Sequence, residues 1–207
     1  MNSPESAIQF PADVQVTTSA DGTGDCTVEV ALEATAAPGI ASELSVVYSV
    51  NGQVIPSQYE FPIGVTTVQA SAHVASTFIA SSSFTVTVAD DELPVARTQP
   101  VTVTLNSSGV GSLTVAQVNA GSTDNCGAPI LEIAKGNLVT TGAGFANSVS
   151  FGAAEIGWQT VTLRATDASG NRSVQTASVR TVLPPQWVSR SPHWGVVNLE
   201  QFVATFG

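Results

Sequence analysis

Apolar and polar residues alternate along much of the chain, as in strands that bury one face. In Thr160–Thr166, for example, the odd positions are apolar and the even positions polar. Asp167-Ala-Ser-Gly-Asn171 follows, and it suits a turn because Asp and Asn bond their own backbone and Gly170 tolerates a positive φ. The pattern predicts a hairpin whose second strand runs over Val174–Val182. A lone hairpin is marginal in water, so other strands must surround it.

The chain carries the same pattern twice. An early block recurs at an offset of 87 residues, and a later block recurs at an offset of 93, so the second copy has six extra residues in its middle. The early pairs are Val14–Thr17 with Val101–Thr104, Gly22-Thr-Gly24 with Gly109-Val-Gly111, and Thr27–Val28 with Thr114–Val115. The later pairs are Ile63–Gly64 with Ile156–Gly157 and Thr67–Val68 with Thr160–Val161. We interpret the Gly-x-Gly sequences as hairpin turns.

Short strands separated by turn residues predict an all-β chain of two tandem immunoglobulin-like antiparallel β-sandwiches. The predicted strands are Asp13–Thr18, Thr27–Glu33, Leu44–Val50, Thr66–His73, Phe84–Val88, Val101–Leu105, Gly111–Val118, Ile130–Ile133, Gln159–Thr166 and Val174–Val182. The predicted parts are an N-terminal arm at 1–8, a first domain at 9–91, a linker at 92–94, a second domain at 95–183 and a tail at 184–207.

Composition and charge reduce the range of possible binding partners. The net charge is −10 with six Lys plus Arg, which excludes nucleic acid and anionic membranes as partners. No apolar run is long enough to insert into a membrane. Residues Met1–Ser6 lack the basic and apolar regions of a secretory signal. We therefore consider a trimmed chain, a piece of a longer secreted protein, or a virion component released by lysis.

Several motifs resemble those of hyalin repeats, which are immunoglobulin-like modules of extracellular adhesive proteins. They are Phe10–Val14, Phe61–Val68 and Phe84–Pro94 in the first copy, and Ser122–Gly127 and Thr166–Asn171 in the second. The resemblance covers most of the first 183 residues and implies an adhesive role outside the cell. The first copy departs from it at His73–Phe78, which has neither Gly nor Asp. Phe78 is therefore a candidate interface residue.

In the hyalin family a Cys of the second strand often pairs with a Cys in a loop of the same domain. Here the resemblance places Cys26 in the first copy and Cys126 in the second, and Leu113 takes the place of Cys26 in the second copy. We favour two half-buried free thiols. A Cys26–Cys126 bond within the chain and a bond between neighbouring subunits remain open, so both residues are disulfide candidates.

Acidic residues gather near the joint between the copies. Asp90, Asp91 and Glu92 lie there, and Asp124 and Asp167 lie in loops of the second copy. Calcium needs about six to eight oxygen ligands, so these acids are candidate Ca²⁺ ligands. We favour a solvated acidic linker and expect no cofactor.

The tail has a different composition, with Trp187 and Trp194 followed by an apolar helical pattern. Its candidate interface residues are Trp187, Trp194, Leu199, Phe202 and Phe206. Gly195–Gly207 also resembles the second part of a dockerin half-repeat. Arg190, Pro192, Trp194 and Gln201 stand at the calcium-ligand positions, so the resemblance implies no calcium binding of the usual kind. We favour docking of the tail onto the second domain or another subunit.

No catalytic motif is present, and we predict that the chain is not an enzyme. The leading hypothesis is an extracellular or cell-surface adhesive and structural module that acts through protein–protein contacts. The second is a self-assembling subunit of a fibre or a phage virion surface, in which copies of the chain or a larger assembly are the partners. Carbohydrate binding ranks last, since only Trp158, Tyr48 and Tyr59 are available as aromatic contacts within the domains.

Overall fold

The computed structural model describes residues 8–36 and 43–185. The chain divides into two compact units, Met1–Glu92 and Leu93–Gly207. The division therefore lies within the acidic segment that was expected to be a linker. Over the described residues, no helix has the length and apolar character needed to cross a membrane.

The first unit contains two layers of strands. The strands are β1 (Ile8–Gln9), β2 (Val14–Thr17), β3 (Thr27–Ala31), β4 (Thr35–Ala36), β5 (Leu44–Val50), β6 (Gln53–Ile55), β7 (Gln58–Pro62), β8 (Gly64–Val74) and β9 (Thr77–Ala89). The larger sheet has the order β2-β9-β8-β5-β6, while β3 pairs with β7 and β1 with β4. Val68 and Phe84 from the larger sheet share one buried cluster with Val28 and Phe61 from β3 and β7. The core thus lies between the two layers.

The second unit repeats this arrangement. Its strands are β10 (Val101–Thr104), β11 (Gly111–Thr114), β12 (Ile130–Lys135), β13 (Ser148–Phe151), β14 (Gly157–Thr166) and β15 (Arg172–Val182). The larger sheet has the order β10-β15-β14-β12, and β11 pairs with β13. Val161 and Leu163 of the larger sheet share a buried cluster with Leu113 and Phe151 of the other layer.

In each unit the first strand of the larger sheet pairs in parallel with the last, and the last two strands form an antiparallel hairpin. Val14 lies opposite Val86 in the first unit, and Val101 lies opposite Val179 in the second. Val101 follows Val14 by 87 residues and Val179 follows Val86 by 93 residues, so both offsets of the repeat hold at these two strands. The chain is all-β, with two tandem immunoglobulin-like β-sandwiches. The predicted helical segment of the tail lies outside the described residues.

The repeat alignment fails between these strands. Thr27 is the first residue of β3, whereas Thr114 is the last residue of β11 and Val115 lies beyond that strand. The expected match of Thr27–Val28 with Thr114–Val115 is therefore wrong. The Gly-x-Gly sequences are not hairpin turns either, because they lie where the chain passes from one layer to the other.

The strand predicted over Gly111–Val118 ends early. Val115–Val118 forms one turn of helix, α1. Oε1 of Gln117 accepts hydrogen bonds from the backbone N–H (2.9 Å) and the hydroxyl (3.0 Å) of Thr114. This contact caps the first turn, and it outweighs the strand preference of the valines.

Candidate interaction surfaces

The β14–β15 turn has the predicted chemistry. Oδ1 of Asp167 accepts a hydrogen bond from the N–H of Asn171 (2.8 Å), and the N–H of Asp167 donates to the carbonyl of Asn171 (3.1 Å). Gly170 has φ +94°, which a residue with a side chain adopts only at a cost. Asp167 is only 5% exposed, and its Oδ2 atom is buried without a hydrogen-bond partner. One carboxylate oxygen thus remains unsatisfied.

Asp124 repeats this situation in another loop of the second unit. Its Oδ2 atom accepts the N–H of Cys126 (2.9 Å), whereas its Oδ1 atom is buried without a partner. A buried, unsatisfied carboxylate oxygen costs free energy unless a cation or a proton satisfies it. The predicted ligands Asp124 and Asp167 therefore keep acceptor capacity.

The predicted Ca²⁺ ligands Asp90 and Asp91 of the first unit accept hydrogen bonds from neighbouring residues of the chain. Oδ1 of Asp90 accepts the hydroxyl of Thr18 (3.3 Å) and the N–H of Glu92 (3.2 Å). Asp91 accepts the hydroxyl (2.8 Å) and the N–H (3.2 Å) of Ser19. The hydrogen bond from the Ser19 hydroxyl is the main reason why the pKa of Asp91 lies below its usual value. These acids fasten the end of the first unit to the 3₁₀ turn Thr18–Asp21.

Phe78 lies at the tip of the β8–β9 hairpin of the first unit. Ala75 and Ser76 form the turn with φ of +47° and +67°, so two non-glycine residues adopt the left-handed region. This geometry is that of a two-residue type I′ turn, which usually takes Asn and Gly. Phe78 is 58% exposed, and its ring meets His73 edge to face at 5.9 Å. The expected exposed aromatic residue is therefore present.

The outer edge of the last strand is covered in the second unit. The hydroxyl of Thr98 donates to the carbonyl of Thr176 (2.7 Å), and the N–H of Ala96 donates to the hydroxyl of Ser173 (3.2 Å). Residues 96–98 thus lie along β15 before β10 begins to pair with it. Unpaired backbone groups at a sheet edge invite pairing with other chains, and this segment reduces that exposure.

In the first unit, the described residues leave the same edge open. The offsets of 87 and 93 make Pro11 the counterpart of Thr98 and Ser83 the counterpart of Thr176. Pro11 has neither a hydroxyl nor an N–H, so it cannot supply the equivalent bond. The preceding Ile8–Gln9 segment pairs instead with Thr35–Ala36 of β4. Among the described residues, none bonds to the outer edge of β9 between Phe78 and Phe84.

A shallow groove of about 520 Å³ runs beside this edge. It is lined by Phe10, Phe78, Ile79, Ala80, Ser81 and Ser82. No charged side chain lines it, although the chain has a net charge of −10. Sequence reasoning identified Phe78 but missed the strand edge beside it. The available signal was Pro11, which stands where the second copy has Thr98.

The other candidates fall into three groups. The tail residues Trp187, Trp194, Leu199, Phe202 and Phe206 lie outside the described residues. Neither cysteine is a free thiol, since Cys26 and Cys126 are both disulfide-bonded, and the favoured expectation of two free thiols is wrong. Of the three candidate sugar-binding aromatics, Tyr48 is buried in the core and Tyr59 packs against it, so they cannot form an exposed strip with Trp158.

No family model matches the chain, and no curated protein matches it. Solved structures similar to it include human mucin-like protocadherin EC1-2, with 11% identity, a TM-score of 0.41, and coverage of 86% of this chain and 98% of that one. Drosophila N-cadherin EC1-4 gives 14% identity, a TM-score of 0.40 and coverage of 84% and 49%. Fibronectin(III)-like modules of Clostridium thermocellum CbhA give 13% identity, a TM-score of 0.31, and coverage of 91% of this chain and 100% of that one. The hyalin-repeat and dockerin resemblances remain predictions.

Proposed function

We propose that this chain is a non-enzymatic adhesive and structural module that acts outside the cell through protein–protein contacts, with copies of itself among its partners. The open edge of β9 beside the exposed ring of Phe78 carries the proposal. An uncharged strand edge offers main-chain hydrogen bonds, and a neighbouring aromatic side chain adds apolar contact area.

The composition supports contacts of this kind. Two copies with a net charge of −10 repel each other, so they approach most easily where acidic side chains are absent. The strand Thr77–Ala89 contains no charged residue and no proline. Edge strands usually avoid association through charged residues, prolines or β-bulges. This edge has no charged residue and no proline, and its pairing with β8 is regular from Ala80 onward, beyond a one-residue shift at Ile79.

Light scattering after size-exclusion chromatography tests the proposal. The full chain should have a mass above that of a 21.1 kDa monomer, and the excess should grow with protein concentration. Phe78→Ser should weaken association, whereas the control Trp158→Ser should not, since Trp158 is an exposed aromatic residue of the second unit. A monomer at every concentration would contradict association between copies.

The alternative is a self-assembling subunit of a fibre or virion surface that docks through residues 186–207. The aromatic and apolar composition of that segment supports it. A chain ending at Pro185 separates the two proposals. Assembly that disappears with the tail favours the subunit, whereas assembly that persists favours contacts made by the β-sandwich units.

We also propose that Asp124 and Asp167, which lie in separate loops of the second unit, each contribute to binding of Ca²⁺. Each has a buried carboxylate oxygen without a partner, and carboxylate oxygens are the ligands that Ca²⁺ prefers. Isothermal titration calorimetry with CaCl₂ should show binding that Asp167→Asn weakens, since the amide keeps an acceptor for the Asn171 N–H but loses the charge. Titrations of the native chain that show no binding heat and no Ca²⁺-dependent rise in melting temperature would refute this proposal.

A further inference from the structure

We propose that β9 of the first unit pairs edge to edge with β9 of a second copy of the chain. The two strands run antiparallel, so the larger sheets of the two copies become one continuous sheet. This inference rests on the proposed function, and it names the surface and the register through which two copies meet.

The direction of the backbone groups follows from one hydrogen bond. The N–H of Thr85 donates to Oδ1 of Asp13 (2.7 Å), and Asp13 immediately precedes β2, on the side of β9 away from β8. Alternate residues of a strand direct their N–H and C=O groups to the same side. Ser83 and Ser81 therefore direct theirs outward as well. Ser82 lies opposite Ala70 and directs its backbone groups towards β8.

The length of the open edge is set at both ends. Beyond Thr85, β9 pairs in parallel with β2, beginning at Val86 opposite Val14. At the other end, the pairing of β9 with β8 shifts by one residue at Ile79, just before the turn at Ala75 and Ser76. Ala80–Phe84 remains as a regular open edge of about five residues, which matches the usual length of a strand in a globular protein.

The edge is complementary to itself under a two-fold axis. An axis at Ser82 places Ser81 of one copy opposite Ser83 of the second copy, and Ser83 opposite Ser81. Both residues direct their amide and carbonyl groups outward, so each opposed pair exchanges two hydrogen bonds. A two-fold axis of this kind produces a closed dimer, because each copy uses the same patch.

The second unit serves as the internal comparison. Its edge strand β15 has the same position in the sheet, but Thr98 and Ala96 bond to Thr176 and Ser173 along it. The proposal therefore assigns pairing to the first unit alone. A substitution that blocks the edge of β9 should weaken dimerisation, whereas the equivalent substitution in β15 should leave dimerisation unchanged.

Sedimentation velocity on the full chain tests the proposal. The native chain should reach a mass of twice 21.1 kDa as its concentration rises. Ser81→Pro removes an outward N–H that does not belong to the β8–β9 ladder, and proline is tolerated at such edge positions. It should raise the dimer dissociation constant at least about tenfold. Val174→Pro, at the equivalent place in β15, is the matched control and should leave dimerisation unchanged.

Two double variants test the register. Ser81→Lys with Ser83→Glu places opposite charges across the proposed axis, so dimerisation should persist and should weaken as salt is added. Ser81→Lys with Ser83→Lys places like charges there, and dimerisation should be lost. Both variants change the same two exposed positions. Circular dichroism melting curves should therefore be closely similar for the two.

Each result has a defined meaning. A dimer that survives both Ser81→Pro and the Lys–Lys variant would overturn this inference and leave the proposed function intact, because another surface would carry the contact. A native chain that stays monomeric up to about 1 mM would overturn both. If a chain beginning at Ile8 dimerises while the full chain does not, residues 1–7 occupy the edge, and the second-copy proposal fails.

Discussion

The two units share a strand order, yet they treat the outer edge of their last strand in different ways. In the second unit, Thr98 donates its hydroxyl to the edge of β15. In the first, the corresponding residue is Pro11, and the preceding residues pair with β4, outside the larger sheet. Two differences in hydrogen-bonding capacity, Pro11 in place of Thr98 and Ala80 in place of Ser173, thus accompany a covered edge in one unit and an edge that the described residues leave open in the other. The repeat therefore preserves the strand order, while the described residues bond this edge in one copy and not in the other.

The units also differ in the packing of their cores. Val28 lies opposite Phe61 in the first unit, whereas Gly111 lies opposite Phe151 in the second.

On the larger sheets, Val47 and Ser71 form a cross-strand pair in the first unit. Glu132 and Arg164 occupy the corresponding pair in the second, with a contact of 2.6 Å between Arg164 Nη2 and Glu132 Oε2.

Arg164 contributes more than this ion pair. Its guanidinium lies 4.1 Å from the ring centroid of Phe145, and its Nη1 atom donates to the carbonyl of Thr140 (3.1 Å). Both of these residues belong to the loop between β12 and β13. The first unit has Ser71 in this position, and its connection contains the β5–β6 hairpin instead. The second unit therefore uses a partly buried cation to hold a longer irregular loop.

The largest expected effect comes from the two buried phenylalanines. Phe61→Ala and Phe151→Ala should each lower the free energy of unfolding of their own unit by about 3–5 kcal/mol, because each leaves a cavity in a closed core. Urea denaturation measures the loss of unfolding free energy, and hydrogen exchange shows which of the two units has lost it. Equal loss of protection in both units after either substitution would show that the cores do not unfold separately.

A smaller loss of stability is expected at Gly111, which lies opposite Phe151. A Cβ atom added to Gly111 would lie 2.5 Å from Cγ1 of Val103, so Gly111→Ala should cost about 1–3 kcal/mol through overpacking. The neighbouring Ser112 is exposed, and Ser112→Ala should change stability by less than about 0.5 kcal/mol. Thermal denaturation of the two variants makes the comparison, and equal melting temperatures would contradict the close approach of β11 to Val103.

The smallest effect concerns pH and the first unit. The hydrogen bond from the backbone N–H of Thr85 is the main cause that lowers the pKa of Asp13. A lowered folded pKa means that the stabilisation is present above the unfolded value of about 3.9 and is lost as the pH falls through the folded pKa. Asp13→Ala should therefore be less stable than the native chain at pH 6, and the difference should shrink towards pH 2. A pH-independent difference would show that the charge of Asp13 contributes nothing. The second unit has Pro100 at the position that corresponds to Asp13, so it has no carboxylate there.

Much of the fold could be predicted because the long strands alternate strictly. The β14–β15 hairpin and the offsets at the outer strands followed from that pattern. The strands β7 and β13 were missed although Tyr59 and Phe61 in β7, and Val149 and Phe151 in β13, alternate with polar residues. These runs of four or five residues are short, and Pro62 ends the first of them.

The candidate site was harder to predict from the sequence. The exposure of Phe78 could be inferred from a turn without Gly or Asp. The open edge could not, since it depends on the pairing of Ile8 with Ala36, which takes the start of the chain away from the larger sheet. The unsatisfied oxygens of Asp124 and Asp167 also depend on burial, which the pattern of acidic residues alone does not reveal.

The parallel pairing of the first and last strands has a mechanical consequence. In each unit four residue pairs join these two strands, from Val14–Val86 to Thr17–Ala89 and from Val101–Val179 to Thr104–Val182. A pulling force on the ends of a unit draws the two strands in opposite directions along their length. The hydrogen bonds between them are then sheared together instead of opening one after another. Each unit is therefore built to resist tension, and its lifetime under load depends on the rate at which this one patch slips.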